Sequence, residues 1–307
     1  MRIHYSDVET ALPDGGETMP QGSLARRSWK VTLDALVHFN ADDGWAMASH
    51  VSLSALMAVF PFLIFVAAVA AFVGDAGLAT RVADLIFASW PVEVAGPIAT
   101  QVSQVLAVQR GGLLTISVLV TIWLASNGVE AVRTALNRAY KVGETRNFFF
   151  LRAQSALFVL IGAVASLIFA FLGILGPLIF AWLVRYFPVI APFESLFTYV
   201  RLGVTGLTLI LALVAAHLWL PAGRPSALHL WPGIAITLIA WLAAAFAFGI
   251  YLRRFADYVD VYAGLASVVT AIFFLYLISS LMIFGAEFNA ALSRARIRRE
   301  REAGGET

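Results

Sequence analysis

The chain has 307 residues, of which 60% are hydrophobic and 13% are charged, and its formal net charge is +2. A soluble domain carries about 25% charged and about 45–50% apolar residues, so this composition is typical of an integral membrane protein and excludes an ordinary soluble enzyme. The near-neutral charge gives no argument for nucleic acid as a partner. Because the chain contains no cysteine, disulfides, thiolate catalysis and cysteine metal sites are also excluded.

The N-terminal region is polar and lacks the apolar core of a secretory signal. We expect residues 1–27 to form a disordered cytoplasmic tail. In the stretch 28–40 that follows, Trp29, Leu33 and Leu36 share one helical face. This spacing predicts an interfacial helix that lies on the membrane before the first span.

Long apolar blocks follow, each close to the 20 residues that cross a bilayer as a helix. They predict an all-α fold, a polytopic membrane helix bundle with about six transmembrane helices. The predicted spans cover about residues 46–73, 112–127, 153–183, 199–220, 232–252 and 262–292. We expect one membrane domain over 28–292 and a basic cytoplasmic tail over 293–307.

The segment 76–108, between the first two spans, is too polar to cross a membrane. Its apolar residues recur at helical spacing on either side of Pro91, which predicts two amphipathic helices. The pattern does not decide between surface helices and helices that dip into the bilayer.

Lysine and arginine are distributed unequally over the predicted loops. Fifteen fall on the side of the two termini and six on the opposite side. Because basic residues concentrate on the cytoplasmic side, this asymmetry predicts that both termini are cytoplasmic, and it favours an even number of spans.

Polar residues gather at the predicted cytoplasmic ends of the first, second and sixth spans. The candidates are His50, Ser54, Asn127, Glu130, Arg133, Asn137, Glu287 and Asn289. Ionisable groups in or near a span usually face the bundle interior and pair with each other, so we expect Arg133 to pair with Glu130 or Glu287. The cluster is interpreted either as a substrate cavity open to the cytoplasm or as a structural network that locks three helices together.

Three positions are hinge candidates, because proline and glycine interrupt helices and broken helices mark binding sites in transporters: Pro61, Gly176 and Pro177. Gly203 and Gly206 are expected to allow close helix packing. A lone His217 within the fourth span is expected to be hydrogen-bonded inside the bundle.

Catalytic and cofactor signatures are lacking. The five histidines show no ligand spacing, and the sequence contains neither a phosphate-binding P-loop nor a nucleophile elbow. We therefore predict no catalytic residue, no metal and no cofactor. The basic tail over 294–301 is expected to contact anionic lipid rather than RNA.

Four ordered segments resemble the YihY/virulence factor BrkB family of bacterial inner-membrane proteins, once labelled ribonuclease BN. The resemblance covers about residues 30–295. Its segments are Asp43 to Pro61, Ala135 to Tyr140, Leu220-Pro221 with Arg224, and Tyr262-Ala263-Gly264 with Gly285 to Ala290. His50 and Ala263 depart from the family pattern. The resemblance implies six spans and an inner-membrane location, and it leaves the activity open.

Three functional hypotheses follow. The first is a transporter or flippase-like protein for a lipid or another amphiphile. The second is a non-catalytic envelope scaffold or integrity factor, and the third is a membrane-associated ribonuclease, as the old family label suggests. We favour the first and expect no enzymatic activity. Membrane lipids are the expected partners, while homo-oligomerisation and a periplasmic partner at the loop around Asp257 and Asp260 stay open.

Overall fold

The computed structural model describes residues 24–73, 111–172, 176–223, 227–259 and 265–304, and these form eight α-helices. In chain order they are α1 (Leu24–Ala41), α2 (Gly44–Val73), α3 (Gly111–Ala139), α4 (Phe148–Ala170), α5 (Gly176–Tyr186), α6 (Glu194–Trp219), α7 (Ala227–Val259) and α8 (Leu265–Gly304). A short 3₁₀ helix, Pro188–Phe193, leads from α5 into α6. The described residues contain no strand, and the all-α prediction is confirmed.

Helix α8 holds the bundle together, because α1, α2, α3 and α7 all pack on it. Helix α3 packs along α2 and also supports α4, while α6 packs mainly on α7. The main core lies where these helices meet. Its most deeply buried large side chains are Leu136, Leu220, Leu230 and Ile234.

Five helical stretches are long and apolar enough to cross a membrane: Gly44–Val66, Phe148–Phe169, Pro188–Trp219, His229–Leu252 and Val268–Arg298. The predicted second span, 112–127, falls on α3. The side chains of residues 111–117 are not described, so this span stays a prediction, and Glu130, Arg133 and Arg138 lie beyond it in the second half of the helix. The structure is a helical membrane bundle, and the count of six spans remains a prediction.

Most apolar side chains of α6 are exposed, from Leu196 to Leu211. Only its last turns enter the core, through Leu213, His217 and the following Leu220. A helix that is apolar on nearly every face suits a lipid surrounding, where leucine and valine side chains incur no cost of exposure.

The predicted third span, 153–183, corresponds to two helices. Helix α4 ends at Ala170, and α5 begins at Gly176, with Pro177 at its second residue. Residues 173–175 between the two helices are not described, and proline is tolerated in the first turn of a helix such as α5. A Cβ on buried Gly176 would lie 3.0 Å from the ring of Phe197, so α5 approaches the start of α6 closely at this point.

The other hinge candidate, Pro61, lies inside α2, and the helix continues past it to Val73. The helix predicted over 28–40 is the larger part of α1. Rather than standing alone before the first span, α1 packs on α8 through Val31, Ala35, Phe288 and Ala291.

Close packing of small residues occurs between α7 and α8, not on α6 as the sequence suggested. A Cβ on Gly285 would lie 2.0 Å from Thr237 Oγ1, and one on Gly233 would lie 2.2 Å from the Gly285 carbonyl oxygen. Around Gly203 and Gly206, by contrast, no described atom lies within 4 Å of an added Cβ. Among the described residues, the close packing expected at Gly203 and Gly206 is therefore not found.

Some sequence predictions lie outside the described residues. These are the amphipathic helices over 76–108, most of the tail over 1–27, Arg224, and the motif Tyr262-Ala263-Gly264. The side chains around Asp257 are also not described.

Candidate functional site

The polar face of α3 faces the beginning of α4, and Arg133 is its most deeply buried charge. Arg133 Nη1 donates to Ser155 Oγ at 3.2 Å and to the Leu151 carbonyl oxygen at 3.3 Å. Its guanidinium also lies 3.9 Å from one carboxylate oxygen each of Glu130 and Glu144. Arg133 therefore joins α3 to α4, and its charge faces two carboxylates.

Arg152, one turn into α4, completes this contact from the other side. Its Nη1 lies 2.7 Å from Glu130 Oε1, 2.9 Å from Ser126 Oγ and 3.0 Å from Asn127 Oδ1. The guanidinium carbon lies 3.8 Å from the ring centroid of Trp123, a cation–π geometry. Arg152 thus contacts a carboxylate and an indole ring of the same helix, α3.

The loop after α3 carries a third arginine of this group, which pairs with a glutamate. Arg146 Nη2 and Nε donate to the two oxygens of Glu144 at 2.7 and 2.8 Å, a bidentate arrangement. These hydrogen bonds lower the pKa of the Glu144 carboxyl to about 2. Arg146 Nη2 also donates to the Leu220 carbonyl oxygen at 2.7 Å, and so satisfies a carbonyl at the end of α6.

Asn137 connects the same loop to the segment after α6. Its Nδ2 donates to Glu144 Oε2 at 3.1 Å, and its Oδ1 accepts from the Ala222 N–H at 2.7 Å. The segment Ala135 to Tyr140 is therefore hydrogen-bonded to the residue that follows Leu220-Pro221. We call Glu130, Arg133, Glu144, Arg146 and Arg152 the arginine cluster.

A second group forms where the turn between α1 and α2 meets the end of α3. Asp43 and Lys141 have positive φ values of 54° and 55°, in the left-handed region that ends helices. Lys141 Nζ lies 3.1 Å from Asp42 Oδ2, and Arg138 pairs with Asp43. The two tight turns are therefore joined by two ion pairs.

The same group extends to the C-terminal half of α8. Arg294 donates from Nε to Asp34 Oδ2 of α1 at 3.1 Å, and its Nη2 lies 4.0 Å from Glu287 Oε2. Glu287 is buried, with 1% of its surface exposed. We call the whole group the corner cluster: Asp34, Asp42, Asp43, Arg138, Lys141, Glu287 and Arg294.

Asn289 points away from the corner cluster towards α7. Its Oδ1 accepts from the Gly233 N–H at 2.8 Å, and its Nδ2 donates to the Leu230 carbonyl oxygen at 3.0 Å. Pro232 lies between these two residues, inside α7. Asn289 thus joins α8 to the backbone of α7 beside a proline.

His217 is fully buried near the end of α6, and its ring lies edge-on to that of Tyr140, with centroids 6.2 Å apart. Its Nδ1 lies 2.9 Å from the Leu213 carbonyl oxygen, as the sequence led us to expect of a histidine bonded within the bundle. A carbonyl can only accept, so Nδ1 carries the proton. Burial raises the pKa of Tyr140 above its ordinary value, and its hydroxyl therefore stays protonated.

The structure thus divides the eight candidate residues between different contacts. Asn127, Glu130, Arg133 and Asn137 lie in or beside the arginine cluster, whereas Glu287 belongs to the corner cluster. Of the two partners expected for Arg133, Glu130 lies nearby, and Glu287 instead faces Arg294. His50 is exposed on α2, and Ser54 is half-buried where α2 passes Gly128.

Several charged residues of both clusters were missed by the sequence argument: Asp34, Glu144, Arg146, Arg152 and Arg294. They lie outside the polar stripes of the predicted spans, and their partners are 2 to 260 residues away along the chain. The one local signal was Asn147, which caps α4 by accepting from the Phe149 N–H. That cap places Arg146 immediately before α4 and Arg152 within its first turns.

Within the described residues, no group of three or more histidines and carboxylates is arranged to hold a metal ion. Of the carboxylates that could serve such a site, Glu130 and Glu144 each contact an arginine at 2.7 Å.

Comparison with known proteins places the chain in a family. A relative from Bacillus subtilis (strain 168), named "Putative ribonuclease-like protein YfkH", is 27% identical over 260 residues, which cover 84% of this chain and 93% of that protein. No solved structure matches the chain. A family model described as "Virulence factor BrkB" matches residues 35–307. The chain is therefore an integral, multi-pass membrane protein that belongs to the virulence factor BrkB family.

Proposed function

We propose that this protein is a transporter or flippase-like protein that moves a lipid or another amphiphile across the bacterial inner membrane, with both termini in the cytoplasm. The observation that carries the proposal is the charge of the arginine cluster, in which three arginines face two glutamates. One positive charge is left over beside the apolar surface of the bundle. An anionic head group would compensate it.

The surroundings of the cluster suit an amphiphile. Trp123, Phe148, Phe149 and Trp219 are exposed around it, and aromatic side chains are enriched where a bilayer meets water. The exposed apolar faces of α3 and α4 continue from these residues. A head group at Arg152 would therefore have its acyl chains beside apolar helix surface.

The partial exposure of the cluster leaves room for such an exchange. The Arg152 and Arg146 side chains are 14% and 22% exposed, and Glu130 is 26% exposed. A phosphate oxygen accepts the same N–H donors that a carboxylate does. We infer that a head group replaces Glu130 on Arg152 during part of the transport cycle.

The envelope scaffold is the second candidate, and a different feature favours it. Arg133, Arg146 and Asn137 already bind backbone and side-chain groups on neighbouring segments. A network that joins α3, α4 and α6 in this way would stiffen the bundle without binding any cargo.

Ribonuclease activity, suggested by the name of the Bacillus subtilis relative, is the reaction we favour least. A metal-dependent nuclease requires carboxylates that are available to a cation. Glu130 and Glu144 are instead occupied by Arg152 and Arg146. Three positive charges at the same place would also repel a metal ion.

Native mass spectrometry in mild detergent, with phosphatidylglycerol and phosphatidylethanolamine offered together, tests the proposal. We expect wild-type protein to retain phosphatidylglycerol preferentially and Arg152→Gln to lose that preference. Arg138→Gln is the matched control, because Arg138 is an exposed arginine outside the arginine cluster. Equal retention by all three proteins would favour the scaffold.

Transport itself is tested in proteoliposomes that contain fluorescent phosphatidylglycerol, by the fraction that an external quencher can reach over time. We expect wild type to move the probe faster than protein-free vesicles, and Arg152→Gln to lose most of that rate. If wild type moves the probe no faster than empty vesicles, flipping of this lipid is refuted.

A further inference from the structure

The carboxylate of Glu287 is buried without a hydrogen-bond donor on one of its oxygens. Only 1% of the residue is exposed, and Oε2 has no hydrogen-bond partner among the described residues. Arg294 Nη2 lies 4.0 Å from this oxygen, which is beyond hydrogen-bonding distance. Glu287 also lies within the apolar stretch Val268–Arg298.

The charged and titratable groups around Glu287 come from several neighbouring elements. Helix α2, which also packs on α8, has one titratable side chain, the exposed His50. Helix α1 presents Asp34 and His38, the following turn presents Asp42 and Asp43, the end of α3 presents Arg138, Tyr140 and Lys141, and α8 itself presents Arg294. Helix α7 faces α8 here through the neutral residues Gly233 and Thr237, and its His229 is exposed.

Each cation in this group already has another carboxylate as its nearer partner. Arg294 lies 3.1 Å from Asp34, Lys141 lies 3.1 Å from Asp42, and Arg138 pairs with Asp43. In the described part of the corner cluster, four carboxylates therefore share three cations. Glu287 is both the most buried of the four and the one without a cation of its own.

An ionised carboxylate in that position would be costly. Removing an unpaired charge from water costs several kcal/mol even after the protein relaxes. A buried acid commonly avoids this cost by taking up a proton and becoming neutral. The arrangement is therefore consistent with a protonated Glu287, and it would change when the proton leaves.

Arg294 is placed so that it would respond to this change. Its Nη2 lies 3.1 Å from Asp34 Oδ2 and 4.0 Å from Glu287 Oε2, so one guanidinium stands between two carboxylates. When Glu287 is neutral, Arg294 binds Asp34 and holds α1 against α8. When Glu287 is ionised, its charge attracts Arg294 away from Asp34.

We propose that Glu287 is a proton-binding site that controls the docking of α1 on α8, through competition with Asp34 for Arg294. The proton leaves to solvent as α1 loosens and returns as α1 docks. That this site couples proton movement to transport rests on the proposed function. The site itself does not depend on any cargo.

The protonation of Glu287 is tested by infrared difference spectroscopy of the purified full-length protein across about pH 5 to about pH 9. We expect a carboxylic-acid C=O band that disappears as the pH rises and that Glu287→Gln lacks at every pH. Asp43→Asn is the matched control, since it removes a carboxylate of the same cluster whose side chain is exposed. That variant should keep the band. A wild-type spectrum with no band that Glu287→Gln removes would overturn the proposal.

The helix movement is tested with spin labels. The chain has no native cysteine, so Leu36→Cys on α1 and Ile297→Cys on α8, both exposed, can be labelled without background. We expect the measured distance distribution to lengthen and broaden as the band disappears. When Glu287→Gln is added to the labelled protein, the distance distribution should keep its low-pH form at every pH. When Asp34→Asn is added instead, the distribution should be broad at every pH.

The experiments distinguish failure of the proton-controlled docking of α1, here called the switch, from failure of the transport proposal. If wild type shows one distance distribution over the whole pH range, the switch is refuted, whether or not lipid moves. If the band and the movement occur in a protein that moves no lipid probe, the proton site stands. Should Glu287→Gln not fold, Glu287→Asp replaces it, and a band unchanged in that variant would overturn the assignment.

Discussion

The side chain of Asn289 on α8 binds the backbone of α7 at Gly233, 56 residues away along the chain. The amide of Asn289 accepts from the Gly233 N–H and donates to the Leu230 carbonyl oxygen, one on each side of Pro232. These two buried hydrogen bonds join α8 to the first turns of α7.

Asn289→Ala should destabilise the protein by about 1–3 kcal/mol, because two buried hydrogen bonds are lost and each contributes about 0.5–1.5 kcal/mol. Thermal unfolding in detergent, followed by circular dichroism, measures the effect. Asn40→Ala, at an exposed position near the end of α1, should stay within about 0.5 kcal/mol of wild type. Equal melting temperatures for the two variants would mean that Asn289 does not support α7.

Gly285→Ala should separate α7 from α8, since the new methyl group would overlap Thr237 Oγ1 and approach the Gly233 carbonyl. Overpacking of this kind costs about 1–3 kcal/mol, and occasionally more. The matched control is Gly203→Ala, which adds the same methyl group to a transmembrane helix where no described atom is within 4 Å. Melting temperatures should fall for the first variant only. A similar loss in both would point to glycine flexibility rather than packing.

Glu144→Gln should make stability less dependent on acid pH. The bonds from Arg146 hold the pKa of Glu144 at about 2, below its ordinary 4.5. A carboxylate with a lowered pKa stabilises the fold above the unfolded value and loses that contribution as the pH falls through the folded one. The difference in melting temperature between wild type and variant should therefore be largest near neutral pH and shrink between about pH 4.5 and about pH 2.

The control for this pH dependence is Glu194→Gln, at an exposed carboxylate in the first turn of α6. The melting temperature of Glu194→Gln should differ little from that of wild type at every pH. If the Glu144→Gln difference stays constant down to about pH 2, the bidentate pair with Arg146 does not stabilise the folded state.

Asp43→Asn and Asp43→Ala should differ, although both remove the ion pair with Arg138. That pair is largely exposed and contributes about 0–1 kcal/mol. The backbone at Asp43 has a φ of 54°, which asparagine tolerates and alanine adopts at a cost of about 1–2 kcal/mol. We expect Asp43→Asn to melt close to wild type and Asp43→Ala to melt several degrees lower. Equal losses in the two variants would show that charge, not conformation, decides this turn.

The helices could be predicted from the sequence more fully than the contacts of the candidate site. Apolar runs and their spacing predicted the helical class, and five of the resulting stretches are long enough to span a membrane. A proline in a helical pattern can either kink a helix or begin a new one, so Gly176-Pro177 indicated only a hinge. In the structure Gly176 begins α5, and Pro177 is its second residue.

The candidate site was predicted only in part, because its partners are distant in sequence. Helical spacing alone brought Glu130, Arg133 and Asn137 to one face of α3. Nothing local could show that Arg146 reaches the Leu220 carbonyl oxygen, or that Arg294 stands between Asp34 and Glu287. These contacts depend on how whole helices are arranged, which no short sequence window records.

By itself, the sequence determined that this protein is a helical membrane bundle and which residue types stand at its polar end. Those properties follow from composition and from the period of the helix, which act locally along the chain. The tertiary structure alone decided that the polar residues form two clusters, one with a surplus positive charge and one with a surplus carboxylate. Charge balance between residues far apart in sequence depends on distances of a few ångströms, and only the packing of α1, α3, α4 and α8 sets those distances.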